Sequence, residues 1–104
     1  HSYAFCTDTL YNEALIEKIK GVDLLYHEAT FKKELSHRAK ETGHSTTFDA
    51  ATIARKAAVK HLMIGHFSQR YRNLDELLFE TKITFPNTYL AESGLVMDFN
   101  KLSS

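Results

Sequence analysis

The 104-residue chain is 43% apolar and 25% charged, with 13 basic side chains balancing 13 acidic ones. This is the composition of one compact globular unit; it excludes disorder, and no apolar run in the chain approaches the roughly 20 residues that span a bilayer. With zero net charge nothing global advertises nucleic acid, and the single cysteine, Cys6, excludes an internal disulfide and points to a reducing, cytoplasmic setting.

Ser2 to Cys6 is short and aromatic-rich and reads as a strand with no lead-in, so the chain is expected to begin inside a fold. Thr7-Asp8-Thr9 can cap a helix, and Leu15, Ile16 and Ile19 then recur at helical spacing before Gly21, a residue favoured at helix C-termini. Val22 to Tyr26 is apolar except for Asp23 and predicts a strand buried on both faces, with His27-Glu28-Ala29-Thr30 directly after it. Phe31 to Lys40 is charged but helix-compatible, and Thr42-Gly43-His44 interrupts it. Thr46, with Asp49 three residues on, makes a capping-box variant that opens a helix through Ala50, Ala51, Ile53, Ala54, Ala57 and Ala58. His61 to Gly65 predicts a third strand, ending in His66-Phe67-Ser68. Asn73 to Thr84 predicts a helix, with Asp75 and Glu76 at the positive end of its dipole. Pro86-Asn87 makes a turn, and Thr88 to Ala91 and Leu95 to Phe99 read as short strands around Glu92-Ser93-Gly94.

Alternating strands and helices predict an α/β layer with a substantially parallel sheet. Functional groups in such sheets gather beyond the carboxyl ends of the strands. Three strands end in chemically equipped clusters, Cys6-Thr7-Asp8-Thr9, His27-Glu28-Ala29-Thr30 and Gly65-His66-Phe67-Ser68, which parallel neighbours would bring to one rim.

Each cluster supports two readings. Asp8 suits a metal-bridging carboxylate or a helix cap, and His66 a metal ligand or a hydrogen-bonded histidine at a strand end. His27 and Glu28 suit an imidazole oriented by a carboxylate, or a loop pair on the surface. His44-Ser45-Thr46 sits where a helix begins, a place receptive to phosphate; a plain cap explains Ser45 and Thr46 but not His44. Ser68, Arg70 and Tyr71 suit a phosphodiester contact, with a ring for a base, or a solvated loop. His37 and His61 read as structural or exposed. Lys32, Lys33, Arg55, Lys56 and Lys60 read as helix surface rather than an RNA track, because acids are interleaved among them.

Taken in order and spacing, Cys6-Thr7-Asp8-Thr9, His27 to Phe31, His44 to Thr47 and His66 to Tyr71 resemble the C-terminal part of ribonuclease Z, over essentially the whole chain. The resemblance implies the C-terminal half of a metallo-β-lactamase-type αββα sandwich, with a mixed, largely parallel sheet flanked by helices. It implies a two-zinc phosphodiesterase that cuts precursor tRNA after the discriminator base and leaves a 3′-hydroxyl on the tRNA. On this resemblance Asp8 bridges both zinc ions and His66 is a terminal ligand of one. His44 is the general acid, placed to protonate a leaving 5′-oxygen, and Glu28 orients it. Ser68 and Arg70 contact substrate phosphate.

The family's His-x-His-x-Asp-His zinc motif is absent, as is the further histidine ligand upstream of Asp8. Asp8 and His66 alone cannot complete a four-coordinate zinc site. The tRNA-gripping arm belongs to the same missing part. The resemblance therefore predicts a partial domain that binds zinc weakly, lacks nuclease activity alone, and self-associates as a homodimer or by swapping elements across its exposed strand edges. Two rival readings are another metallo-β-lactamase-fold phosphodiesterase or arylsulfatase-like hydrolase, and a non-catalytic α/β interaction module.

Overall fold

The computed structural model describes residues 2–6 and 12–91. Four strands, β1 (Tyr3–Cys6), β2 (Leu24–Glu28), β3 (His61–Gly65) and β4 (Thr88–Leu90), form one sheet in the order β1-β2-β3-β4, with every pair parallel. Four α-helices accompany them: α1 (Ala14–Ile19), α2 (Ser36–Thr42), α3 (Thr47–Lys56) and α4 (Asp75–Thr84). Among the described residues the sheet is thus purely parallel. The predicted strand Leu95 to Phe99, and Thr7-Asp8-Thr9 with its candidate ligand Asp8, lie outside those residues.

Alternation along each strand divides the sheet into two faces. Ala4, Cys6, Leu25, Leu62, Ile64 and Leu90 share one core cluster with Leu15, Ile16 and Ile19 of α1, Ala50, Ile53 and Ala54 of α3, and Leu77 of α4. Fully buried alanines in α3 let the helix lie close to the sheet. The opposite face carries Tyr3, Phe5, Tyr26, Met63 and Tyr89, in register across the strands. On it Phe5 remains 72% exposed and Tyr3 53%.

The capping box that the sequence predicts opens α3: the Thr46 hydroxyl accepts from the Asp49 N–H at 3.1 Å, and the Asp49 carboxylate accepts from the Thr46 N–H at 3.0 Å. Two elements differ from expectation. Strand β2 starts at Leu24 and runs through His27 and Glu28, two residues later than the apolar run. Backbone pairing explains the shift: the Asp23 and Leu24 N–H groups both donate to the Ser2 carbonyl at 3.1 Å at the strand's entry, and the ladder to β3 continues as far as Glu28 opposite Gly65. The stretch from Phe31 to Lys40 is also not one helix. Phe31 pairs in an isolated parallel bridge with Thr46, Lys33–Leu35 form a 3₁₀ turn, and α2 follows from Ser36 until Gly43 ends it in the left-handed conformation at φ 74°.

Candidate metal and proton-transfer site

Three segments meet beyond the carboxyl end of the sheet, held by backbone hydrogen bonds. Parallel register sets Glu28 opposite Gly65, so His66 follows directly beside the end of β2. The Ala29 N–H donates to the Gly65 carbonyl at 2.9 Å, and the Ser68 N–H to the Thr30 carbonyl at 2.9 Å. The Thr30 N–H donates to the Ser45 carbonyl at 3.1 Å, and the Thr47 N–H to the Phe31 carbonyl at 2.9 Å, which draws His44 to the same rim.

The Glu28 side chain is fully buried at the centre of this junction. Its two carboxylate oxygens each lie 3.2 Å from Nδ1 of His44. A carboxylate only accepts, so Nδ1 of His44 carries the hydrogen. The Thr30 hydroxyl donates to the second Glu28 oxygen at 2.5 Å, and Thr30 Oγ also lies 3.1 Å from Nδ1 of His66. His66 Nδ1 is 3.9 Å from the carboxylate itself. The His44 and His66 rings sit 5.3 Å apart, and Phe31 meets His44 edge-on at 6.4 Å. His66 takes φ +59°, a left-handed conformation uncommon outside glycine and met here at a site rather than a plain turn.

Of the residues singled out in the sequence, Glu28, His44 and His66 are therefore brought together. Arg70 is exposed, with its guanidinium 5.7 Å over the Phe31 ring, on the shoulder of the same site. Ser68 is half-buried, and its hydroxyl accepts from the Arg70 N–H at 3.4 Å. Tyr71 is half-buried: its ring packs against the core cluster and its hydroxyl accepts from the Lys32 N–H at 2.9 Å, which braces the loop.

The pairing of the His27 ring with the Glu28 carboxylate is also corrected. Adjacent strand residues point to opposite faces, and His27 is fully buried on the helix side, its Nδ1 donating to the Glu28 backbone carbonyl at 2.7 Å. Burial holds its pKa below the ordinary value, against smaller pulls from Glu28 and Asp49. His37 is exposed and pairs with Glu41, and the His61 ring lies 5.9 Å from Tyr89.

Thr30 and Tyr26 were not singled out individually in the sequence. Thr30 was legible only as the end of a motif, since nothing in its neighbours says that one hydroxyl will meet two functional groups. Tyr26 lies two residues before Glu28 on the same strand face, which is a usable signal. Its phenol is pushed up by burial and, to a lesser degree, by the Glu28 carboxylate.

One ligand atom from each of Glu28, His44 and His66 lies within 4.8 Å of the others. Two imidazoles and a carboxylate are donor types that divalent transition ions accept, so the chemistry of the cluster is compatible with a nearby metal ion. The three differ in how committed they are: Glu28 already receives two hydrogen bonds in its burial, while the His66 side chain is 52% exposed at the rim. A separate groove of about 410 Å³ runs between Lys32 and the outer side of α4, and none of the predicted site residues lines it.

No family model matches the chain. It is 50% identical over 98 residues to the ribonuclease Z of Bacteroides thetaiotaomicron, covering 94% of this chain and 31% of the relative. To the ribonuclease Z of Phocaeicola vulgatus it is 51% identical over 100 residues, covering 96% and 32%. Among solved structures, it matches a long-form RNase Z from yeast with TM-score 0.79 and 29% identity, over 93% of this chain and 13% of that one. Human tRNase Z, short form, matches with TM-score 0.66 and 33% identity over 89% and 30%. The metallo-β-lactamase fold protein YhfI from Bacillus subtilis matches with TM-score 0.82 and 26% identity over 90% and 38%. The chain spans about a third of the length of the curated relatives it matches. With about half its residues identical to theirs across nearly its whole length, on a fold shared with metallo-β-lactamase-fold proteins, the chain belongs with the ribonuclease Z proteins.

Proposed function

We propose that this chain is the C-terminal portion of a zinc-dependent endoribonuclease that removes the 3′ trailer of precursor tRNA by phosphodiester hydrolysis, and that it is inactive alone. The observation that carries this reading is the fully buried Glu28 carboxylate holding Nδ1 of His44 beside His66, on a chain half identical to ribonuclease Z.

His66 and Asp8, with histidines carried elsewhere in the full-length protein, would hold two zinc ions. Bound there, zinc lowers the pKa of water and takes up negative charge from the phosphate. The remaining work falls to this chain's own groups. With Nδ1–H committed to Glu28, His44 exchanges protons through Nε2, and the carboxylate fixes the orientation of the ring. A 3′-hydroxyl on the tRNA requires the P–O3′ bond to break. The oxygen that His44 protonates is therefore the 3′-oxygen, which corrects the 5′ assignment drawn from the resemblance. Arg70, over the shoulder of the site, and Ser68, beside it, receive the phosphate. Tyr71 acts by holding their loop in place.

The exposed Phe5 and Tyr3 support self-association of the chain, as a homodimer or by exchange of elements. A reducing, cytoplasmic setting suits its single, buried cysteine.

The test is zinc content and precursor-tRNA cleavage, measured for the chain alone and mixed with a separately made N-terminal two-thirds of the Bacteroides thetaiotaomicron relative. Cleavage by the mixture at the discriminator, with about two zinc ions per pair, is the expected result. Cleavage by this chain alone, or a mixture that cuts only small diesters, sinks the reading.

A further inference from the structure

Thr30 is nearly fully buried and touches the two halves of the site at once. Its hydroxyl has a single hydrogen and two acceptors within reach, Glu28 Oε2 at 2.5 Å and the His66 carbonyl at 2.9 Å. A carboxylate is the stronger acceptor and the shorter contact, so the hydrogen goes to Glu28. The Thr30 oxygen then has lone pairs to offer and no hydrogen left for Nδ1 of His66, 3.1 Å away. That contact is a hydrogen bond only if His66 is the donor. With the Thr30 hydrogen directed to Glu28, the contact is satisfied when Nδ1 of His66 carries the hydrogen, and the Nε2 lone pair is then the one a metal can take.

We propose that Thr30 is a positioning residue that transmits the charge of Glu28 to His66, fixing its Nδ1–H tautomer and so presenting Nε2 as the metal ligand. One buried carboxylate thereby sets the tautomers of both imidazoles, that of His44 directly and that of His66 through one hydroxyl. Backbone bonds hold the relay in place: the Thr30 N–H is tied to Ser45, next to His44, and its carbonyl to Ser68, two residues beyond His66. The ligand half of this inference rests on His66 being a metal ligand in the proposed function; the tautomer half stands on the geometry alone.

The experiment is long-range ¹H–¹⁵N spectroscopy of the uniformly labelled, metal-free chain, at a pH where its imidazoles are neutral, with His66 assigned through His66→Gln. The expected result is His66 protonated at Nδ1 in the parent chain and in Thr30→Ser. In the near-isosteric Thr30→Val it moves to the mixture of a solvated imidazole. A parent chain with the hydrogen on Nε2 overturns the proposal even if Thr30→Val fails to fold, as does a folded Thr30→Val with His66 unmoved. Zinc titration of the two-part assembly provides the second readout, with Thr30→Val expected to weaken binding about 10–100-fold and Thr30→Ser to stay near the parent. A tautomer shift without loss of zinc affinity overturns the ligand half. Zinc binding that depends on His66 but not on Thr30 overturns the inference while leaving the proposed function standing.

Discussion

Gly65 and Tyr26 lie so close on the sheet that a Cβ at Gly65 would overlap the Tyr26 hydroxyl and stand 2.9 Å from Cζ of its ring, so a side chain there requires the phenol to move. Gly65 is the residue from which the chain turns into His66, so a steric fit on the sheet governs the entry to the site. Gly65→Ala is expected to destabilise the chain by about 1–3 kcal/mol through overpacking. Combined with Tyr26→Ala it should lose less than the sum of the two single changes, because the second opens the space the first requires. Urea denaturation of the two single variants and the double variant decides this; strictly additive losses would show that the phenol is not what excludes the side chain.

The capping box sets a second expectation. Thr46→Ala removes the acceptor for the Asp49 N–H and should lower stability by about 1 kcal/mol, whereas Thr46→Ser, which keeps an oxygen in place, should stay close to the parent. The same chemical-denaturation assay reads both.

His27 makes stability depend on pH. Its folded pKa lies below 6.5, chiefly through burial, while in the unfolded chain it titrates near that value. As pH falls below 6.5 the unfolded state gains a proton that the native state refuses, so stability drops by up to about 1.4 kcal/mol per pH unit until the native group also titrates. His27→Phe should flatten this slope by up to one proton, whatever it does to stability near neutrality. Denaturation midpoints between pH 5 and 7, roughly, would settle the matter, and an unchanged slope would remove His27 from the account.

In the two-part assembly, His44→Ala should lower kcat by about 10²–10⁴ if the imidazole is the general acid. Affinity for precursor tRNA should move little, because phosphate contacts are assigned to Ser68 and Arg70. Single-turnover cleavage and filter binding separate the two quantities. A variant that loses binding and keeps its single-turnover rate would make His44 a substrate contact instead.

Self-association can be tested on the aromatic face. Sedimentation of the chain should reveal a dimer or larger species, and Phe5→Lys, which places a charge on a residue 72% exposed, should shift it toward monomer. A parent chain that sediments as a monomer contradicts the expectation outright.

Much of this architecture was legible because strong local signals agreed. Thr46 and Asp49 announced α3, and the alternation of apolar runs with helix-compatible stretches announced the parallel sheet. Glu28 and His66 were legible as neighbours because parallel strands must end on a common rim, whereas His44, which lies between two helices, was tied to Glu28 only by the resemblance. The misreadings came where side-chain character and backbone pairing disagreed. His27 and Glu28 looked like a loop because they are polar, yet the ladder to β3 runs through both. Phe31 looked like the start of a helix, yet its carbonyl is taken by Thr47. Tyr71 carried no sign that Lys32, 39 residues earlier in the chain, would claim its hydroxyl. Such long-range contacts have no local signature.

The two consecutive buried residues at the end of β2 also bear on how the segment tolerates change. His27 serves the helix layer and Glu28 serves the rim, and only the two-residue repeat of the strand keeps them apart. Deleting one residue between Leu24 and Tyr26 while the strand's far end stays anchored need not disturb the pair. A one-residue slip of β2 against β3 would exchange them, turning an acid into the apolar layer over α3 and an imidazole toward His44. Length variation among relatives should therefore be found in the loops and at the entry of β2, with its last two positions keeping a fixed phase to Gly65.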